Sequence, residues 1–171
     1  MSNSTMTEAI HLVVLVAAIL GTGLVAGMFY AFSTFIMRGL SELPAVEGMR
    51  AMQSINVTVL NRWFMSVFMG TFGLCLALIF IFSVDYRGIR SLLVIAGAVI
   101  YVIWCFLVTG TRNVPRNNLL STTSAESSQA NAVWQTYLTE WTYYNHIRTG
   151  AALASCLSFI CGALLEAAAW T

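Results

Sequence analysis

Asn145, His146 and Arg148 fall close together in "WTYYNHIRTG", residues 141–150. These residue types can share the work of moving a proton and holding an anion. A neutral imidazole accepts a proton near neutral pH. A guanidinium flanked by amides stabilises a negatively charged oxygen. The three side chains open an apolar run that continues to Trp170. A central Arg costs a membrane helix at least about 2.5 kcal/mol on insertion scales, so such a residue should face a partner or a cavity.

Helical spacing decides which side chains can act together. Trp134, Tyr137, Trp141, Asn145, Arg148 and Ala152 share one stripe. Arg148 therefore stands one turn below Asn145, under an aromatic column. His146 lies about 100° round the helix from Asn145, on the side of Thr142 and Thr149. Arg148 is expected to face the bundle interior and to bond to Asn56 or Asn117. The competing reading has Arg148 snorkelling to headgroups, with Trp141 and Tyr143 in an interfacial belt.

The elements that carry these residues follow from composition. The chain has 171 residues, 58% hydrophobic and 9% charged, with a mean hydropathy of +0.79. Soluble domains carry about 25% charged residues, so the solvent of this chain is lipid. There is no Lys, all eight basic residues are Arg, and the net charge is +1. That charge excludes a nucleic-acid partner, which needs a basic stripe. Cys75, Cys105, Cys156 and Cys161 lie in apolar runs without a CxxC and read as packing residues.

Four runs are long enough to span a bilayer as helices: about 10–37, 63–84, 91–109 and 129–170. The whole chain, 1–171, reads as one all-α integral membrane domain, an antiparallel bundle of four transmembrane helices. An amphipathic helix is expected at about 45–61, after Pro44, between the first two spans. The stretch 110–128 reads as a polar connection, with the last helix standing out of the membrane before it enters. Small residues at Ala17 and Gly21, and at Gly23 and Gly27, allow close helix packing. They also lead us to expect self-association into a homo-oligomer.

Antiparallel packing puts the first and third connections on one side, and the polar inventory collects there. Asn56, Arg62, Arg112, Arg116, Asn117, Asn145, His146 and Arg148 all belong to that side. Six Arg lie on it against two on the other, Arg87 and Arg90. Arg residues that serve a site are not loop anchors, so this bias does not fix the orientation.

Three stretches carry a resemblance to a known family: "GMFYAFSTFIMRGLSELP" (27–44) with "GMRAMQSINVTVLNRWFM" (48–65), then "TRNVPRNNLL" (111–120), then "WTYYNHIRTGAALAS" (141–155). Together they cover nearly the whole chain, and it resembles the anthrone oxygenase-like family of small four-helix membrane proteins. It departs from that pattern at "MRGL", where the family usually shows a Pro, and at Arg116, where it usually shows an apolar residue.

The resemblance implies oxidation of a polyketide anthrone to an anthraquinone with dioxygen. Such chemistry assigns His146 as general base, and Arg148 with Asn145 or Asn117 as stabilisers of an enolate oxygen. Trp63, Phe64, Trp141 and Tyr137 would stack on a flat substrate, with Asn56 and Arg116 completing the polar wall. No tightly bound cofactor is expected, because His11 and His146 fall at opposite ends; a metal or haem on His146 is left open. The partners expected are a lipophilic small molecule and lipid. The alternative is a non-catalytic membrane module that binds a lipid or small molecule, or a subunit of an assembly. A transporter fits less well, since four helices without a repeat leave little scope for alternating access.

Overall fold

The computed structural model describes residues 3–168, with side chains described for 6–165. All its elements are helical. Helix α1 runs through Asn3–Ala31, a wider π turn at Phe32–Ile36, and Met37–Ser41. Helix α2 is Ala45–Thr58 and α3 is Arg62–Val84. Helix α4 begins as Ile89–Ile100, passes through π segments at Tyr101–Leu107 and Thr109–Asn113, and ends as Val114–Thr122. Helix α5 is Ala130–Ala168.

Four of these helices are long and apolar enough to cross a membrane, which makes this a membrane protein. They close into a ring in the order α1, α5, α4, α3.

Local chemistry sets the boundaries. The Pro44 carbonyl accepts from Glu47 N at 2.8 Å and Gly48 N at 3.0 Å, which starts α2. Asn61 caps α3, its Oδ1 accepting from Trp63 N at 3.0 Å and Phe64 N at 3.1 Å. Such a cap contributes about 1 kcal/mol. The α3–α4 turn depends on Gly88, whose φ of 66° lies in the left-handed region.

The polar stretch after residue 109 corrects the sequence reading. It was expected as a connection, yet the helix continues to Thr122. Hydroxyls there bond back to carbonyls of their own helix: Thr109 to Cys105 O at 2.8 Å and Thr111 to Leu107 O at 2.7 Å. Pro115 falls in the first turn of the last segment, where its missing N–H is tolerated. Asn113 Nδ2 then donates to Trp141 O at 3.1 Å and ties the polar end of α4 to α5. Residues 130–140 are helical, so α5 extends beyond its apolar run. The α5 end expected near 170 lies outside the described residues.

Two cores result. One fills the apolar half of the bundle, around Leu15, Phe68, Leu78, Tyr101 and Phe159. The other lies under the cap formed by α2 and the ends of α4 and α5, around Phe32, Met49, Met52, Leu120, Trp134 and Trp141. Gly21 is used inside the bundle: a Cβ there would sit 2.2 Å from Thr71 Oγ1, so α1 and α3 meet closely. A Cβ at Gly27 would meet nothing within 4 Å.

Candidate functional site

A cavity of about 230 Å³ lies where the two cores meet. All five helices reach it, with six aromatic rings: Phe29, Phe32, Phe64, Phe68, Phe106 and Trp141. Its polar wall is small, consisting of Asn56, Thr109, Asn117 and Arg148. A cavity of about 150 Å³ is enough to hold benzene, so this one accommodates more than a single ring. Met28, Leu60, Met69 and Val114 line it and are exposed, which opens it to the outer surface.

Among the described residues, Arg148 is the only ionisable side chain that lines it, and it is 4% exposed. Its Nη2 donates to Asn145 Oδ1 at 2.8 Å and its Nη1 to Thr109 Oγ1 at 3.2 Å. The guanidinium carbon stands 4.1 Å from the Phe29 ring centroid and 5.1 Å from that of Trp141. Arg148 Nε and Trp141 Nε1 are buried without a protein partner. No carboxylate pairs with Arg148 among the described residues; the ion pairs of this half of the bundle are Arg38–Glu42, Arg50–Glu126 and Arg116–Glu140. A buried cation held by neutral groups favours whatever brings negative charge to it.

Asn145 holds Arg148 in place. It is fully buried, and its Nδ2 donates to Phe29 O and to Ser33 Oγ, both at 2.7 Å. Ser33 Oγ lies 2.9 Å from Thr149 Oγ1, which donates to Asn145 O at 2.8 Å. Both amide hydrogens of Asn145 are thus spent on α1, and its Oδ1 accepts from Arg148. It is a positioning residue, not one that faces the cavity.

A second, neutral station faces the cavity from the cap. Asn56 Nδ2 donates to Tyr137 Oη at 3.2 Å, and Tyr137 Oη donates to Asn117 Oδ1 at 2.9 Å. Tyr137 stands behind the two amides, stacked between Trp134 at 5.8 Å and Trp141 at 5.7 Å. Asn56 and Asn117, expected as partners of Arg148, bond to Tyr137 instead, because Arg148 is taken by its own helix and by α4.

Three expectations need correcting. His146 is exposed and shares the outer stripe of Tyr143, Gly150, Leu153 and Leu157. The 100° step per residue that turns Asn145 inward turns His146 outward, so it cannot reach the cavity as a base. Trp63 is 72% exposed, with the Arg62 guanidinium 4.9 Å from its ring. It borders a shallow outer groove between α1 and α3. Arg116 lies outside the cavity too: its Nε and Nη2 donate to Glu140 Oε2 at 2.9 and 2.5 Å, and its guanidinium covers Tyr144 at 4.7 Å. It braces α4 against α5.

The sequence reading missed Phe29, Phe32, Ser33, Met52, Phe106 and Thr109. Most of these are apolar, and periodicity cannot tell a cavity wall from a core. Ser33 and Thr109 did leave a signal, as hydroxyls near the polar ends of apolar runs.

At the other end of the bundle lies a separate charged cluster. His11 Nδ1 is 3.7 Å from Asp85 Oδ2, and Arg87 reaches both Asp85 at 2.8 Å and Glu8 at 3.4 Å. The Arg87 hydrogen bond holds the Asp85 carboxyl below its ordinary pKa. Among the described residues, no three His, Cys, Asp or Glu side chains gather as metal ligands.

Comparison with known proteins bears on the same residues. No curated protein and no solved structure matches the chain. A family model described as anthrone oxygenase matches residues 62–158. The matched stretch holds Thr109, Asn117, Trp141, Asn145 and Arg148; the cavity residues of α1 and α2, among them Phe29, Phe32, Met52 and Asn56, precede it. Since the match extends over more than half of the sequence, the chain belongs to the anthrone oxygenase family.

Proposed function

We propose that the protein is a membrane oxygenase that oxidises an anthrone-type aromatic molecule with dioxygen inside this cavity. The observation that carries the reading is Arg148, a buried cation with no counter-ion among the described residues, set among six aromatic rings.

The chemistry needs an enolate. Loss of a proton from the central ring carbon of an anthrone gives an electron-rich enolate. In this reading Arg148 holds its oxygen. Preorganised donors of this kind contribute about 10²–10³ in rate. The enolate carbon gives up electrons to dioxygen and forms a C–O bond. The resulting peroxide takes a proton. Loss of water then breaks the O–O bond and the remaining C–H bond and leaves the second carbonyl. One oxygen atom ends in the quinone and the other in water. Phe29, Phe32 and Phe106 keep bulk water from the reacting carbon, and the amides of Asn56 and Asn117 can meet a second oxygen on the far edge of the substrate.

A non-catalytic binding role uses the same cavity, and one observation favours it: among the described residues, no side chain able to accept a proton lines the walls. Purified protein in lipid nanodiscs, given an anthrone, separates the two readings by dioxygen consumption above that of empty nanodiscs. Uptake that matches quinone formation supports the oxygenase; uptake equal to the control supports the binding module.

A further inference from the structure

The cavity around Arg148 offers nothing that takes a proton. Its walls consist of hydrocarbon, thioethers, rings, two amides, one hydroxyl and one guanidinium. Among the described residues, no Asp, Glu, His, Cys or Tyr lines it, and the chain has no Lys. The acidic residues at this end are turned away: Glu140 to Arg116, Glu126 to Arg50, Glu42 to Arg38, while Glu47 is exposed. His146 is on the outer face, and His11 sits at the opposite end beside Asp85.

Two facts therefore meet at one place. Among the described residues, the site has a cation that lacks an anion, and it has no base with which to make one. The geometry points to a site that takes its ligand as the conjugate base of a flat, lipophilic weak acid, a phenol or enol, with the ionisation belonging to the ligand. Arg148 forms the anion-holding end, oriented by Asn145 Oδ1 and by Thr109 Oγ1, whose own hydrogen goes to Cys105 O. The rings of Phe29, Phe32, Phe64, Phe68 and Phe106 take the flat apolar body. This deepens the oxygenase reading and rests on it for the reaction, but anion binding can be measured without turnover.

The consequence concerns pH. Where a side chain acts as base, every ligand shows the protein's titration. Here the apparent ionisation midpoint differs from ligand to ligand and follows each ligand's own acidity. Arg148 lowers all of them, because an opposite charge in a desolvated site favours the ionised form.

The test uses the full chain in nanodiscs and a series of ring-substituted 2-naphthols of graded acidity, with 2-methoxynaphthalene as the neutral control. Absorbance distinguishes bound naphthol from naphtholate. Each bound naphthol is expected to ionise at least about one pH unit below its free midpoint, and 2-methoxynaphthalene to bind about tenfold more weakly. Thr109→Asp puts a carboxylate where a hydroxyl now meets Arg148, so the counter-ion becomes internal. That variant retains the fold, as a thermal melt checks, and loses the preference for anions; Arg148→Gln loses it too. A midpoint common to all the naphthols overturns the inference, because a side chain would then be titrating. So does methoxynaphthalene that binds as tightly as the naphthols. Dodecanoate that displaces naphtholate at lower concentration than the naphthols themselves require makes the ligand a fatty acid and overturns the aromatic class. Naphtholate spectra without dioxygen uptake on an anthrone uphold the anion site while overturning the oxygenase reading.

Discussion

Asn145 Oδ1 accepts a hydrogen bond from Arg148 Nη2 at 2.8 Å, one turn away on the same helix, while Asn145 Nδ2 holds the Phe29 carbonyl of α1. One amide thus fixes the direction of the guanidinium and joins α5 to α1. Replacing Asn145 with Ala leaves the Phe29 carbonyl, Ser33 and Arg148 each short of a partner. Every buried unsatisfied group costs about 1–3 kcal/mol. Asn145→Ala should therefore be among the most destabilising single changes in the chain, visible as a large fall in the thermal midpoint in mild detergent. A midpoint equal to the parent would mean that the amide is not structural.

Outward placement reverses what sequence suggested for His146. His146→Gln should change the rate of anthrone-dependent dioxygen uptake by less than about twofold, and stability by no more than about 0.5 kcal/mol, as for an ordinary surface change. A loss of about 10²–10⁴, the magnitude expected of a general base, would restore His146 to the reaction.

Tyr137 separates packing from polarity. Its ring stacks between Trp134 and Trp141, and its hydroxyl joins Asn56 to Asn117. Tyr137→Phe keeps the stack and removes the link, at a cost of about 1–2 kcal/mol. With the two amides released, selectivity among substrates that differ in a second oxygen should weaken more than affinity for the parent ring. Equal losses across such a substrate pair would count against the second polar station.

The far end of the bundle makes a pH prediction. Asp85 faces Arg87, His11 and Arg90, with Glu8 sharing Arg87. The Arg87 hydrogen bond lowers its folded pKa. A depressed carboxylate contributes stability that is present above the unfolded pKa of about 3.9 and is lost as pH falls through the folded value. Asp85 is partly exposed, which screens the effect to within about 1 kcal/mol. Asp85→Asn should lower the melting temperature slightly at pH 7 and converge with the parent below the carboxylate range. Parallel melting curves at every pH would contradict the linkage.

The fold was largely legible in the sequence because its signals are strong. Four apolar runs, Pro44 and Gly88 together determine the number of helices and two of the connections. What sequence missed is the continuation of α4, since "TRNVPRNN" reads as a loop by composition. Hydroxyl bonds to carbonyls one turn back, and a π turn ahead of Pro115, keep it helical. Of the site, the stripe Trp134, Tyr137, Trp141, Asn145 and Arg148 was visible from spacing alone. The His146 imidazole suits a base by residue type, but the 100° step from Asn145, also legible in the spacing, turns it to the outer face. The walls supplied by α1 and α2 were hidden, since Phe29 and Met52 look like core residues until tertiary packing leaves a space beside them.

The central claim is that the uncompensated Arg148 drives an oxygenase reaction in the cavity. It is tested most directly by dioxygen uptake on an anthrone by the purified parent and by Arg148→Gln, in nanodiscs, with quinone measured alongside. We expect the parent to consume dioxygen and anthrone in equal amounts, and the variant to be slower by about 10²–10³ while its fold, followed by melting, persists. Uptake by Arg148→Gln at the parental rate, or no uptake by the parent, would contradict the account.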